Sequence, residues 1–124
     1  MKFSFFHLCV EDLEGMAAWY RDVVGLKQNF DLDVFKGFVT EDGFFFNMSK
    51  RSDEHNGTYP QGRNGTMNLG FCVPTHKNVD IEYERLIKAG AIAIEPPITT
   101  SWGHRDAYVA DPEGNIICIN SATE

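Results

Sequence analysis

Cysteine is scarce in this chain. Cys9, Cys72 and Cys118 make an odd count of three, and no two of them stand in a C-x-x-C pair. That argues against a disulfide framework and for a reducing compartment, so the expected location is cytoplasmic. Positive charge is scarce as well: 11 Lys and Arg face 18 Asp and Glu, for a net charge of −7, and no basic run exceeds Lys50-Arg51. A phosphate backbone needs a positive footprint, which removes nucleic acid from the expected partners. Long apolar runs are missing too. The one at the start is interrupted by Ser4 and His7, meets Glu11-Asp12 at once and has no small-residue cleavage site. It is too short to span a bilayer, and no membrane partner is expected. What remains is ordinary for a globular protein, with 43% hydrophobic and 23% charged residues. At 124 residues the chain fits a single domain, 1–124, long enough to bury a core. An acidic surface favours cationic small molecules, although solubility alone accounts for a modest negative charge.

The apolar residues fall into short patterned runs. From Phe3 to Val10 the chain alternates, with Ser4, Phe6, Leu8 and Val10 on one face and Phe3, Phe5, His7 and Cys9 on the other. That is strand patterning. Leu13, Met16, Ala17, Tyr20, Val23 and Val24 then recur at helical spacing, with acids before them and Gly25 placed to stop the helix. Three strands follow, at roughly Lys27–Leu32, Val34–Thr40 and Phe44–Ser49. The stretch from Lys50 to Gly65 is almost without apolar residues and reads as a linker or a loop over a site. The pattern then restarts. Met67, Leu69, Phe71 and Val73 alternate with Asn68, Gly70 and Cys72; Val79, Tyr83, Leu86 and Ile87 form a second helical stripe closed by Gly90. Ala91–Glu95, the run before Asp111, and Asn115–Asn120 supply three more strands. A constant offset aligns Cys9 with Cys72, Val10 with Val73, Tyr20 with Tyr83 and Val23 with Leu86. The fold class is therefore α+β, built from two tandem β-α-β-β-β modules at about 1–50 and about 66–121, joined by the connection 51–65. One module has too few strands to cover its own sheet, so the copies should pack together or against a second subunit.

The last hairpin carries the most information. Two alternating runs, DAYVA and NIICIN, flank Asp111-Pro112-Glu113-Gly114, and the whole is preceded by Trp102-Gly103-His104-Arg105. Pro after Asp starts a turn and Gly114 supplies the positive φ that reverses the chain. Together with the duplication, DPEGN after a W-G-x-R element resembles the vicinal oxygen chelate superfamily, which contains glyoxalase I, extradiol dioxygenases and the bleomycin- and fosfomycin-resistance proteins. That resemblance implies curved mixed sheets around a cavity, with helices outside, and a homodimer. The apolar sets Phe6/Leu8/Val10, Leu69/Phe71/Val73 and Ile117/Ile119 would face the helices. Phe5, His7, Cys9, Asn68, Gly70, Cys72, Ile116, Cys118 and Asn120 would line the cavity. Metal-dependent members hold a divalent ion with two His and one or two Glu on the first and last strands of the modules. The matching positions here are Phe5, Asn47, Asn68 and Cys118. Phe cannot ligate, Asn is a weak neutral ligand, and Cys prefers softer ions, so a metal-free type with no cofactor is expected.

The expected ligand-binding residues are Phe5, His7, Phe45, Asn47, Asn68, Trp102, His104, Asp106, Tyr108 and Cys118. Several have a plainer role beside the functional one. His7 is a general base, a replacement ligand or a hydrogen-bonded pocket wall. Cys118 reads as a small buried hydrophobe, since nothing in the sequence activates it. Trp102 either stacks on a ligand or packs its loop onto the sheet. His104, Asp106 and Tyr108 alternate as a polar set that positions a ligand or serves acid–base chemistry, unless a one-residue slip turns them to solvent. Arg105 and Asp111 are expected to hold the turn as a pair. The leading functional reading is a metal-independent small-molecule binding protein of the glyoxalase/bleomycin-resistance type, sequestering an aromatic or cationic antibiotic or metabolite. The alternative is a lyase or isomerase using His7 and Tyr108 as acid and base, or a dioxygenase-like enzyme with shifted metal ligands such as His7 and Cys118. An interaction domain is the third possibility.

Overall fold

A computed structural model describes residues 1–50 and 67–124. The expectation of a linker or covering loop at 51–65 lies outside the described residues. The chain divides into two compact units, Met1–Gln61 and Gly62–Glu124.

In the first unit β1 (Phe5–Val10) leads into α1 (Leu13–Trp19). Asp12 caps the helix, its carboxylate accepting from the Gly15 N–H at 3.0 Å, and Glu14 lies in the first turn. Leu13, Met16, Ala17 and Tyr20 are buried along one stripe. The sequence pattern continues helical to Val24, but the last turn, Tyr20–Val24, is wound more widely as a π-helical turn. There Gly25 and Leu26 both donate to the Tyr20 carbonyl at 3.0 Å, and Gly25 leaves the helix at φ +91°. Strands β2 (Lys27–Asp31), β3 (Phe35–Val39) and β4 (Phe45–Lys50) form an antiparallel meander, and β4 pairs in parallel with β1, giving the order β1-β4-β3-β2. Helix α1 packs on β3 and β4. There Tyr20 meets Phe46 edge-on at 4.9 Å, and Phe38 and Met48 complete the core.

The second unit repeats this plan. Strand β5 (Asn68–Cys72) leads to α2 (His76–Lys88), then β6 (Ile92–Thr99), β7 (Arg105–Ala110) and β8 (Ile116–Ser121), in the order β5-β8-β7-β6. Thr75 caps α2, and Val79 and Leu86, two turns apart, are its buried anchors against the sheet, where Ala107, Val109, Ile117 and Ile119 lie. The two sheets share strand order and strand sense, which is the duplicated β-α-β-β-β architecture read from the residue pattern. Among the described residues no helix is long and apolar enough to cross a membrane.

Two local expectations need correction. The run Glu95–Thr100 reads as a connection because of Pro96 and Pro97, yet β6 continues through it to Thr99. Prolines cannot donate to a ladder, and β6 tolerates them as an edge strand whose register shifts between Ala93 and Glu95 and again between Glu95 and Ile98. Nor do Arg105 and Asp111 form a pair. Arg105 reaches back to helix α2, with Nε and Nη2 at 2.8 and 2.7 Å from Asp80 Oδ1, and donates to Thr99 Oγ1 at 3.0 Å. Asp111 holds the DPEGN turn through its own carboxylate: Oδ1 accepts from the Glu113 and Asn115 N–H groups at 2.9 Å, and Oδ2 from Asn115 Nδ2 at 2.8 Å. A short carboxylate beside its own turn readily takes the backbone donors there.

Candidate functional site

Strand alternation sorts the first sheet into two faces. Phe6, Leu8, Val10, Phe38, Phe46 and Met48 form the helix-covered face, together with Lys36, whose side chain is 4% exposed. The Lys36 ammonium is tied to Glu14 of α1 at 2.8 Å and to Asp31 of β2. Its hydrogen bonds to Asp31 and Glu14 hold its pKa above the ordinary lysine value.

The opposite face carries Phe5, His7 and Cys9, then Phe45, Asn47 and Ser49, then Phe35 and Gly37, because Phe5 pairs with Phe45, His7 with Asn47, and Asn47 with Gly37. Here a groove of about 290 Å³ is lined by Phe5, Asn29, Phe30, Phe35, Phe45 and Asn47. The triple Phe44-Phe45-Phe46 divides between environments: Phe46 is core at 5% exposed, Phe45 is a groove wall at 48%, and Phe44 lies outside against the Phe3 ring at 5.8 Å. Gly37 is the floor. A Cβ there would come within 2.9 Å of Asn29 Oδ1, 3.1 Å of Phe30 Cβ and 3.4 Å of Asn47 Oδ1, so only glycine allows both carboxamides to close over it. Asn29 reaches this point because the β2–β3 register shifts between Gln28 and Phe30, which inserts it as an extra residue.

Three of the expected residues, Phe5, Phe45 and Asn47, meet in this groove. His7 stands beside it as a held wall, its Nε2 at 2.8 Å from Ser49 Oγ and its ring 6.4 Å from Phe5 and 6.2 Å from Phe35. Asn29, Phe30, Phe35 and Gly37 are absent from the sequence reading. Phe35 and Gly37 were accessible by carrying the alternation of β4 across to β3. Asn29 was not, since nothing in the residue pattern marks the bulge.

The equivalent face of the second sheet is polar. Tyr108 pairs with Cys118 and Asp106 with Asn120, while Cys118 pairs with Gly70 and Asn68 with Ile116. The negative charge of a Cys118 thiolate raises the phenol pKa, and burial raises that of the thiol, so both stay protonated in the neutral range. Asn120 Nδ2 donates to the Phe71 carbonyl at 3.3 Å. Asp106 Oδ1 is buried without a hydrogen-bond partner among the described residues. His104 closes a turn with Thr100, its backbone N–H donating to Thr100 Oγ1 at 3.1 Å and its carbonyl accepting from the Thr100 N–H at 2.7 Å. Trp102 lies in that turn, 70% exposed, so of the two roles read for it the packing of its loop onto the sheet is not the one this placement favours. The turn is fixed instead by the Thr100–His104 bonds and by His76 Nε2, 3.2 Å from the Gly103 carbonyl.

A sequence profile of the Glyoxalase/Bleomycin resistance protein/Dioxygenase superfamily matches residues 2–119. The chain belongs to this superfamily. Among solved structures it is similar to a glyoxalase/bleomycin resistance protein/dioxygenase family enzyme from Burkholderia phytofirmans PsJN, at 25% identity over 96% of this chain and 97% of that one, TM-score 0.85. A glyoxalase-related enzyme from Fulvimarina pelagi is 24% identical over 98% of this chain and 88% of that one, TM-score 0.82. A lactoylglutathione lyase from Agrobacterium tumefaciens shares the fold at 22% identity, TM-score 0.74, covering 97% of this chain and 92% of that one. No curated protein matches the chain.

The superfamily's divalent ion does not fit the positions that would hold it. Phe5 and Asn47 lie in the first unit, Asn68 and Cys118 in the second, and they offer one hydrocarbon ring, two neutral amides and a thiol kept protonated by burial. A hard or borderline ion needs anionic oxygens or imidazoles. Among the described residues no three His, Cys, Asp or Glu side chains come together as a metal-binding group.

Proposed function

We propose that this superfamily member is a metal-independent small-molecule binding protein. It takes an aromatic antibiotic or metabolite into the groove on the β1–β4 face of the first unit and holds it without transforming it. The observation that carries this reading is the lining: four phenylalanines and two asparagines, with no titratable side chain among them. Rings contribute apolar area and offset or edge-to-face contacts, while two neutral amides fix orientation. Nothing in that lining can take or give a proton. Incubation with a panel of aromatic drugs and metabolites, followed by calorimetry and by mass analysis of the recovered ligand, tests both halves. Binding that is lost in Phe45→Ala, with the ligand recovered unchanged, supports the reading. A modified ligand, or one tightly held metal ion per chain in the purified protein, overturns it.

A lyase or isomerase is the second reading, favoured by the unpartnered Asp106 oxygen beside the Tyr108–Cys118 row. The protonated phenol would serve as the acid and Asp106 as the base. Product formation abolished by Tyr108→Phe would move this reading ahead of the first.

A further inference from the structure

Resting on the binder reading, we infer that the groove selects flat, uncharged ligands of one or two fused rings that carry an adjacent donor and acceptor on one edge, as in a lactam. The size limit comes from the cavity, whose volume of about 290 Å³ lies just below the range of roughly 300–1,000 Å³ in which small-molecule pockets fall. Rings stand at both ends of the sheet face. Phe45 pairs with Phe5 at one end, and Phe35 stands at the other. Phe30, Gly37, Asn47 and His7 occupy the row between them, Phe30 meeting Phe35 edge-on at 6.3 Å.

The edge preference comes from the amides. Asn29 and Asn47 both direct Oδ1 at the point where a Gly37 side chain would begin. Neither carboxamide has a hydrogen-bond partner among the described residues. Each offers an acceptor oxygen and two N–H donors, so the pair answers an edge that has both a donor and an acceptor. Among the described residues the lining offers a carboxylate neither lysine nor arginine, and a cation no carboxylate, while the His7 ring beside it is engaged with Ser49. Leaving an ion without a counter-charge in an apolar site costs more than leaving a neutral amide edge there. Cation–π attraction to the rings acts in the other direction, but it is a small effect beside the desolvation of a compact ion. The net charge of −7 therefore belongs to the surface and says nothing about the ligand.

The test is a titration of the full-length, ¹⁵N-labelled chain with four bicyclic probes: quinolin-2-one, naphthalene, 2-naphthoate and N-methylquinolinium. Quinolin-2-one should bind about tenfold more tightly than the others, the effect of two additional hydrogen bonds, and should shift the side-chain amide resonances of Asn29 and Asn47. Asn29→Leu and Asn47→Leu should each erase the preference, read as the ratio of quinolin-2-one to naphthalene affinity within one variant. The wild-type rank order decides the matter if either variant fails to fold. Equal affinity for quinolin-2-one and naphthalene overturns the edge preference and leaves the aromatic binder intact. Tightest binding of N-methylquinolinium or 2-naphthoate overturns the neutrality argument. Absence of any shift at Gly37, Phe45 or Asn47 with all four probes overturns both readings.

Discussion

Single side chains shape the open face of the first sheet. Gly37→Ala places a methyl group 2.9 Å from Asn29 Oδ1 and 3.1 Å from Phe30 Cβ, both on the edge strand β2. The edge strand gives way more readily than the core, so ligand affinity should fall about tenfold while stability falls by only about 1 kcal/mol, within the range for small overpacking changes. Calorimetry beside thermal melting separates the two effects. Behind the floor, Lys36 makes a pH-dependent contribution. Its folded pKa is raised by Asp31 and Glu14. The stability it adds is therefore complete below the unfolded lysine value of about 10.4 and is lost as pH rises through the higher folded value. Urea unfolding between pH 8 and 11 should show wild type losing more stability than Lys36→Met. The thiols should also rank by environment, with exposed Cys72 labelled by a thiol reagent before buried Cys118. At this scale the sequence was informative wherever alternation alone set the side-chain direction, as for Phe5, Phe45 and Asn47. It was silent where a bulge intervened, as at Asn29, and where a partner had to be found across the unit, as for Arg105 and Asp80.

Elements add strength through turns and caps. Asp111 is fully buried and accepts three hydrogen bonds within five residues. Its replacement by Ala should cost about 3 kcal/mol, since two backbone N–H groups and one amide lose a charged acceptor; chemical denaturation measures this directly. Asp111→Asn should recover part of the loss, because one carbonyl oxygen survives. The helices were legible because acids precede the first and Gly25 and Gly90 mark their ends chemically, whereas the Thr75 cap of α2 and the wide last turn at Tyr20–Val24 were not read. Strand β6 was not, because Pro96 and Pro97 are ordinarily stop signals and only an unpartnered edge allows a strand to pass through them.

For the whole molecule, the duplication was legible because it rests on many positions at once. The difference between the open faces of its copies was not. The residue pairing with Asn47 is Gly37, whereas the residue pairing with Cys118, at the equivalent place of the second sheet, is Tyr108. One copy opens its floor where the other sets a phenol, and no pattern of hydropathy distinguishes the two. The homodimer suggested by the resemblance is a further proposal, and light scattering at micromolar concentration should give twice the 14.0 kDa chain mass.

Strand order has a consequence for how the chain is made. In each sheet the strand that comes last in sequence does not lie at an edge: β4 sits between β1 and β3, and β8 between β5 and β7. A nascent chain therefore holds β5 apart from β7 until Ile116–Ser121 has left the ribosome, while the first sheet can close as soon as Phe45–Lys50 is free. Units that close early fold during synthesis, and those that wait expose unpaired strands. A stalled or truncated product lacking Ile116–Ser121 would carry an intact aromatic groove on one unit beside a second sheet split at its centre.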